Sequence, residues 1–501
     1  TFLDPNRDGV FDADAIVFGS DIAKGYTVDD KLRRIRWLNA GGIGNYGYDY
    51  QGNETEGFNS GGNTVDKPYK PTFAAAYLQN KFEFNDLILN FGLRYEYIDP
   101  KMLYIEPTLN PVSNQYDYQD VPVDQETNVV DESLYKAVQA FGYLLPRISF
   151  SFPVSDRTVF YTQFGKYVQM PSLNQLYNTT RDFSNAINPL TRSFTSGRLG
   201  YSARPERTTL FEVGIRQVLT PNLALTMTGF YKDTKDQIQL RRVYNSLGNP
   251  IFTSYQNTDF GTVKGVEVTL QLRRTERIQV NLNYTLSDAR GTGASSASNA
   301  VATSDEIKAR FPNFVALQPF NQAHRGSVVF DYRFAKGDGG AILEGLGASL
   351  LMSFNSGHPF TKIEESVLGQ WNPWNVGVYA LADARFRNPA EPVNSSTTPW
   401  VFNLDMNISK MFYFGGVNFE IYANILNLLN AKQIIDVFPN TGTPYDDGWL
   451  KNPASGQYKS IPNYEAFYRA LNLDNRWGIM NYRGDVYSAP RQIRIGARME
   501  L

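Results

Sequence analysis

The chain has 501 residues, 14% of them aromatic, and its 48 basic and 50 acidic residues leave a net charge of −2, so no basic stripe suggests nucleic acid. With no Cys there is no disulfide framework or thiolate metal site, and two His (His324 and His358) leave little room for His-based catalysis or zinc chemistry. Mean hydropathy is −0.37 and no run approaches the roughly 18–20 apolar residues of a membrane-spanning helix, but a spanning β-barrel stays allowed, because only alternate residues of its strands face lipid.

The first 71 residues are rich in Gly, Asn and Asp, and only Leu32 to Leu38 hints at alternation. They read as a long loop region. Within it, Asp4-Pro5-Asn6-Arg7-Asp8-Gly9-Val10-Phe11-Asp12 resembles a Ca²⁺-binding loop. Asp4, Asn6, Asp8 and Asp12 offer side-chain oxygens, Val10 a carbonyl, and Gly9 the tight turn a converging oxygen set needs. The twelfth position is Ala15 where an EF-hand has Glu, so the expectation is a structural Ca²⁺ bracing a loop, against the plainer reading of an Asx-rich turn.

From residue 72 onward the chain alternates with period two, the mark of a strand with two different faces. Odd positions from Leu87 to Tyr97 are apolar or aromatic, whereas Asn90, Gly92, Arg94 and Glu96 lie opposite. Ile278, Val280, Leu282, Tyr284 and Leu286 oppose Gln279, Asn281, Asn283, Thr285 and Ser287. Phe402, Leu404, Met406, Ile408 and Phe412, with Lys410 among them, oppose Asn403, Asp405, Asn407 and Ser409. The last segment sets Ile493, Ile495, Ala497, Met499 and Leu501 against Gln492, Arg494, Gly496, Arg498 and Glu500.

This pattern predicts strands near 72–84, 87–98, 147–153, 157–167, 206–218, 223–240, 257–273, 277–288, 324–334, 345–357, 401–412, 417–427 and 490–501. Their connections alternate between short ones, such as Asn85-Asp86 and Leu219-Thr220-Pro221-Asn222, and long ones near 99–146, 168–205, 289–323, 358–400 and 428–489. Short periplasmic turns alternating with long extracellular loops are the rhythm of an outer-membrane barrel. The fold expectation is therefore all-β: a transmembrane antiparallel β-barrel whose strands occupy residues 72–501, with the C-terminus periplasmic. Thirteen is odd, single-chain bacterial barrels have even numbers, and an open edge is not tolerated in lipid. In a 22-stranded plugged barrel, nine strands would precede these, and residue 1 would fall in an extracellular loop. The opening TFLDPNRDG has neither initiator Met nor signal peptide, so an export signal is expected to be cleaved or to lie upstream.

Several segments resemble TonB-dependent outer-membrane receptors, particularly the Oar-like type with a carboxypeptidase-regulatory-like domain. Tyr161-Thr162-Gln163-Phe164-Gly165-Lys166 with Met170-Pro171-Ser172-Leu173 is similar to the family's mid-barrel strand and its continuation. Arg204-Pro205-Glu206-Arg207-Thr208-Thr209, Phe230-Tyr231-Lys232-Asp233, Lys264-Gly265-Val266-Glu267, Asn424-Ile425-Leu426-Asn427 and Pro490-Arg491-Gln492-Ile493 follow in the family's order over residues 143–501. Arg204 replaces the usual Lys, and Leu501 stands where a terminal aromatic is usual. The resemblance implies a receptor that imports a scarce ligand through a plugged barrel without covalent chemistry. It also implies outer-membrane lipid and TonB as partners, TonB acting through a plug region that this chain does not display.

The remaining candidates have plain structural alternatives. Trp371, Trp374, Trp400 and Trp449 would contact ligand or pack loops, and packing is the simpler role. His324 and His358 read as strand-start and turn residues. Arg94, Glu96, Glu212, Arg216, Glu267, Arg494 and Arg498 read as charges that keep a lumen wet. No Ser-His-Asp set, phosphate loop or suitably placed carboxylate pair stands out. The rival functions are a passive porin, an outer-membrane lipase or protease, and a barrel subunit of a larger surface or secretion assembly. In the last, loops 358–400 and 428–489 would dock a surface lipoprotein.

Overall fold

The structure, a computed structural model, describes residues 70–105, 108–110, 115–117, 135–176, 198–199, 203–244, 250–296, 315–363, 389–474 and 486–500. The calcium-like loop, the rest of residues 1–69, Trp371 and Trp374 lie outside the described residues.

Thirteen strands follow one another in a single antiparallel sheet. In chain order they are β1 (Thr72–Phe84), β2 (Leu87–Asp99), β3 (Phe141–Ser155), β4 (Thr158–Gln169), β5 (Glu206–Thr220), β6 (Leu223–Tyr244), β7 (Pro250–Thr275), β8 (Ile278–Gly291), β9 (His324–Arg333), β10 (Leu346–Asn355), β11 (Val401–Phe414), β12 (Val417–Leu426) and β13 (Gln492–Glu500). Each pairs with its sequence neighbours, and two short strands, Arg198–Leu199 and Ala316–Leu317, attach to β7 and β8.

Register carries the two-faced pattern across the whole sheet. Phe91 faces Ile148, Ile148 faces Phe164, and Phe164 faces Phe211. Met227 pairs with Ile215 and Val268, Leu282 with Leu270 and Val328, and Ala423 with Ile408 and Ile495. A slip of one residue on any strand would put its apolar row on the wrong face.

Among the described residues no second layer covers the apolar face. Phe91, Ile148, Phe211, Ile215, Met227, Val266, Phe402, Ile421 and Ile495 all remain exposed. The hydrophobic clusters formed by buried residues lie in the extensions and connections at one end: one joins Leu176, Ala203, Ile238, Leu240 and Tyr255, another Trp449, Leu450, Tyr464 and Tyr468. Exposed apolar area on this scale is stable only against a solvent that is itself apolar, so the bilayer is the missing layer. The polar face is hydrogen-bonded from strand to strand, as in Asn90 to Ser149 (3.2 Å) and Thr269 to Asn283 (3.2 Å).

The short-turn end is built tightly. Asn85 takes a left-handed φ of 51° between β1 and β2, and Gly416 a φ of 108° between β11 and β12 that excludes a side chain. Phe412 and Phe414 stack 6.3 Å apart at this end, with Phe419 6.4 Å from Phe412. Lys410, the one charge in the apolar row of β11, is satisfied locally. Its ammonium donates to the carbonyls of Ile342 (3.0 Å) and Glu344 at the end of a short helix between β9 and β10, and lies 5.4 Å from the Phe412 ring.

Two differences from the sequence reading have physical causes. β3 begins at Phe141, six residues earlier than expected, because Pro146 sits inside the strand opposite Leu93 and obscures the pattern. β6 and β7 run to 22 and 26 residues, well past the apolar band, and bulge between Thr234 and Gln237.

Identical substitutions on adjacent residues separate the two faces. In the intact protein, Val268→Arg, in the middle of an apolar run, should cost about 2–4 kcal/mol in urea unfolding from bilayers, and Thr269→Arg on the polar face far less. Equal costs would mean that both faces meet the same medium.

Candidate functional site: the long-loop end and the polar wall

The polar face gathers the charges that the sequence assigned to a lumen. Arg94 and Glu96 form an ion pair at 2.6 Å on β2. Glu212 and Arg216 on β5, Glu267 on β7, and Arg494 and Arg498 on β13 occupy the same face by register. Arg498 approaches Glu420 of β12 at 4.0 Å. Toward the short-turn end Arg274 pairs with Asp331, and Arg277 holds Asp338 through two hydrogen bonds of 2.8 and 2.7 Å. These pairs are spread along the wall and converge on no single centre. Among the described residues no group of three or more His, Asp or Glu is placed to hold a metal.

The long-loop end is a connected rim. Asn394 donates to the carbonyl of Leu317 (2.5 Å) and its backbone N–H to Thr361 (2.8 Å), which ties the β8–β9 and β10–β11 connections together. The N–H of Ile363 reaches the carbonyl of Pro439, joining the β12–β13 connection to the same frame. Glu391 anchors one corner. Burial would raise its pKa, but the Lys362 N–H (2.7 Å) and the Ser396 hydroxyl (2.9 Å) outweigh that and hold it below the ordinary carboxylate range. On the extensions of β6 and β7, Arg241 and Asp259 form an ion pair at 2.7 Å with side chains only 14% and 1% exposed. Gly293 lies against that carboxylate and the Gln239 amide so closely that a Cβ would collide with both.

The two described Trp candidates resolve differently. Trp449 is buried, and its indole N–H donates to the Tyr464 hydroxyl at 2.8 Å. It anchors a helical lobe between β12 and β13 built from Trp449–Lys451, Pro453–Tyr458, Tyr464–Arg469 and Ala470–Asp474. Trp400 is exposed and stacks on His324 (5.4 Å) and Phe402 (5.9 Å). His324 also meets the Tyr284 hydroxyl at 2.7 Å. Tyr284, Trp400, Phe402 and Phe354 thus form an aromatic belt at the end of the apolar rows, where amphipathic rings suit a membrane boundary. His358 serves its turn: its N–H donates to Thr398 Oγ1 and its carbonyl accepts from the Thr398 N–H, both at 2.9 Å.

The lobe is what sequence reading missed, because the segment has no strand alternation and its aromatics resemble a ligand-contacting loop. Asp447 lies at its centre. Burial pushes its carboxyl up, against hydrogen bonds from the Tyr468 hydroxyl (2.6 Å) and the Trp449 N–H (3.1 Å). Asp446 next to it goes the other way. Burial opposes ionisation there too, but the Lys451 ammonium and the Gly448 N–H hold it below its ordinary value.

The two carboxylates therefore link the lobe to pH with opposite signs. Asp447 binds its proton more tightly folded than unfolded, so its contribution is complete below the ordinary carboxylate range and is lost as pH rises through the folded value. Asp446 contributes above the ordinary range and is lost as pH falls. Tyr468→Phe leaves the Asp447 carboxylate short of a donor. It should weaken the lobe by about 1–3 kcal/mol in amide hydrogen exchange, more at about pH 8 than at about pH 3. An equal loss at both would remove Asp447 from the account.

A family model described as TonB dependent receptor-like, beta-barrel matches residues 3–428. No curated protein matches the sequence. Among solved structures the chain is similar to the FrpB iron transporter from Neisseria meningitidis, at 14% identity and a TM-score of 0.43, over 73% of this chain and 42% of that one. It is similar to the ferric-catecholate import receptor Fiu from E. coli K12, at 13% identity and a TM-score of 0.42, over 74% and 42%. A third is the outer membrane transporter YddB from Escherichia coli, at 12% identity and a TM-score of 0.43, over 74% and 52%. The chain spans about half or less of the length of each.

Proposed function

Because this chain belongs to the TonB-dependent receptor-like β-barrel family, we propose that it forms part of the wall and mouth of an outer-membrane receptor that imports a scarce ligand. The observation that carries this reading is the single two-faced sheet, apolar and uncovered on one side and lined by paired charges on the other. A polar wall of that kind suits a hydrated passage or an inserted plug, and it offers no chemistry of its own. The long-loop end faces the outside and collects ligand, and the short turns face the periplasm.

Two further features support a larger closed barrel. β1 pairs only with β2, and β13 only with β12, among the described residues. Free backbone groups along such edges are not tolerated in lipid, so further strands complete the ring. TonB then acts on a plug inside that ring, and the interlaced rim supplies a rigid frame for capture.

A conductance measurement separates this reading from a passive porin. The intact protein in planar bilayers with KCl should stay closed, because a plug fills the lumen. Steady open-channel current from the untreated protein would overturn the receptor reading.

A further inference from the structure

The apolar face of β4 to β8 changes character sharply toward the long-loop end. On each strand the outward row runs apolar and then turns charged: Phe164 gives way to Lys166, Phe211 to Thr209 and Arg207, Tyr231 to Asp233 and Lys235, Val266 to Lys264, and Leu286 to Asp288 and Arg290. Five cations there face three carboxylates once Asp236, the partner of Arg207, is included. Asp288 lies 3.0 Å from Arg290 and 4.0 Å from Lys264, and Asp233 lies 3.6 Å from Lys235. Although paired, the cations stay accessible, with side chains 65% exposed at Lys264, 66% at Lys235 and 52% at Arg290.

Directly below this rim the sheet is dented. Gly229 carries no side chain on the outward face, and a Cβ there would meet nothing closer than 3.7 Å. Val213, Val266 and Leu286 around it form the floor of a groove with a cavity volume of about 890 Å³, flanked by Phe211 and Tyr231 and crowned by Lys264, Asp288 and Arg290. By register Val213, Gly229, Val266 and Leu286 belong to the outward row, opposite the lumen charges, which sets the groove apart from the path of a transported ligand.

We propose that this groove is a binding site for a phosphorylated lipid of the outer leaflet, one acyl chain lying over Gly229 and a phosphate held by Lys264 and Arg290. The apolar floor matches an acyl chain, and the surplus of positive charge at the boundary matches a phosphate. Two cations with one intervening carboxylate leave Lys264 and Arg290 able to bind a phosphate while Asp288 sets their spacing. The proposal rests on the outer-leaflet placement of the long-loop end given above.

The test uses the full-length protein in neutral detergent, titrated with bis-phosphorylated lipid A and followed by native mass spectrometry. Binding is expected for the wild type and should weaken by about tenfold or more in the double variant Lys264→Glu/Arg290→Glu. It should weaken similarly with dephosphorylated lipid A and on filling the groove by Gly229→Leu. Inorganic phosphate should not compete, because it lacks the chain. Unchanged binding by the double variant, equal binding of the dephosphorylated lipid, or full competition by inorganic phosphate would each overturn the proposal. Retained heat-modifiable migration on gels shows that each variant still folds. Detergent binding does not depend on membrane orientation, so failure here would leave the receptor reading standing.

Discussion

The constraint on which the rest depends is that one layer of backbone separates two solvents. Every peptide group in the sheet must find its partner within the sheet, because lipid offers none. Side chains then divide by parity alone, and the sequence has to keep that parity through thirteen strands. Glycines beside aromatics help to keep it: Gly214 lies under Tyr161, Gly265 under Phe230 and Gly326 under Phe354, each so closely that a Cβ would clash. In these places the outer end of a ring occupies the space that a side chain on the neighbouring strand would fill, which helps to pin the register.

A molecule whose largest apolar surface faces lipid must find rigidity elsewhere. Here the dry clusters sit at the long-loop end, where β6 and β7 outrun the bilayer and where the lobe of Trp449, Leu450, Tyr464 and Tyr468 closes on itself. The hydrogen bonds linking Leu317, Asn394, Thr361, Ile363 and Pro439 hold the connections of this rim to one another. Burial of Asp447, which raises its pKa, couples the lobe to pH.

The strands were legible because period-two alternation is a direct image of the two solvents, and all thirteen expected strands are present with ends shifted by up to seven residues. The lumen charges were legible for the same reason: parity alone put Arg94, Glu212, Glu267 and Arg494 on one face. The rim was not. Nothing periodic marks the helical lobe, and the Arg241–Asp259 pair joins residues whose burial depends on strands running beyond the membrane. Trp400 and Trp449 look alike in sequence, yet one lies on the lipid boundary and the other in a core, because tertiary contacts decide their roles. Lys410 stands in the apolar row of β11 without any sign in the sequence of the carbonyls of Ile342 and Glu344 that accept from it.

The absence of native cysteine makes the central claim directly measurable. Single cysteines placed in turn at positions 266 through 272 of β7 and carrying a nitroxide would be probed in bilayers with oxygen, which concentrates in lipid, and with a water-soluble nickel complex. Oxygen accessibility should peak at Val266, Val268, Leu270 and Leu272 and fall at Glu267, Thr269 and Gln271. A flat profile, or peaks at the odd positions, would contradict a sheet with lipid on one side and an aqueous or plugged interior on the other.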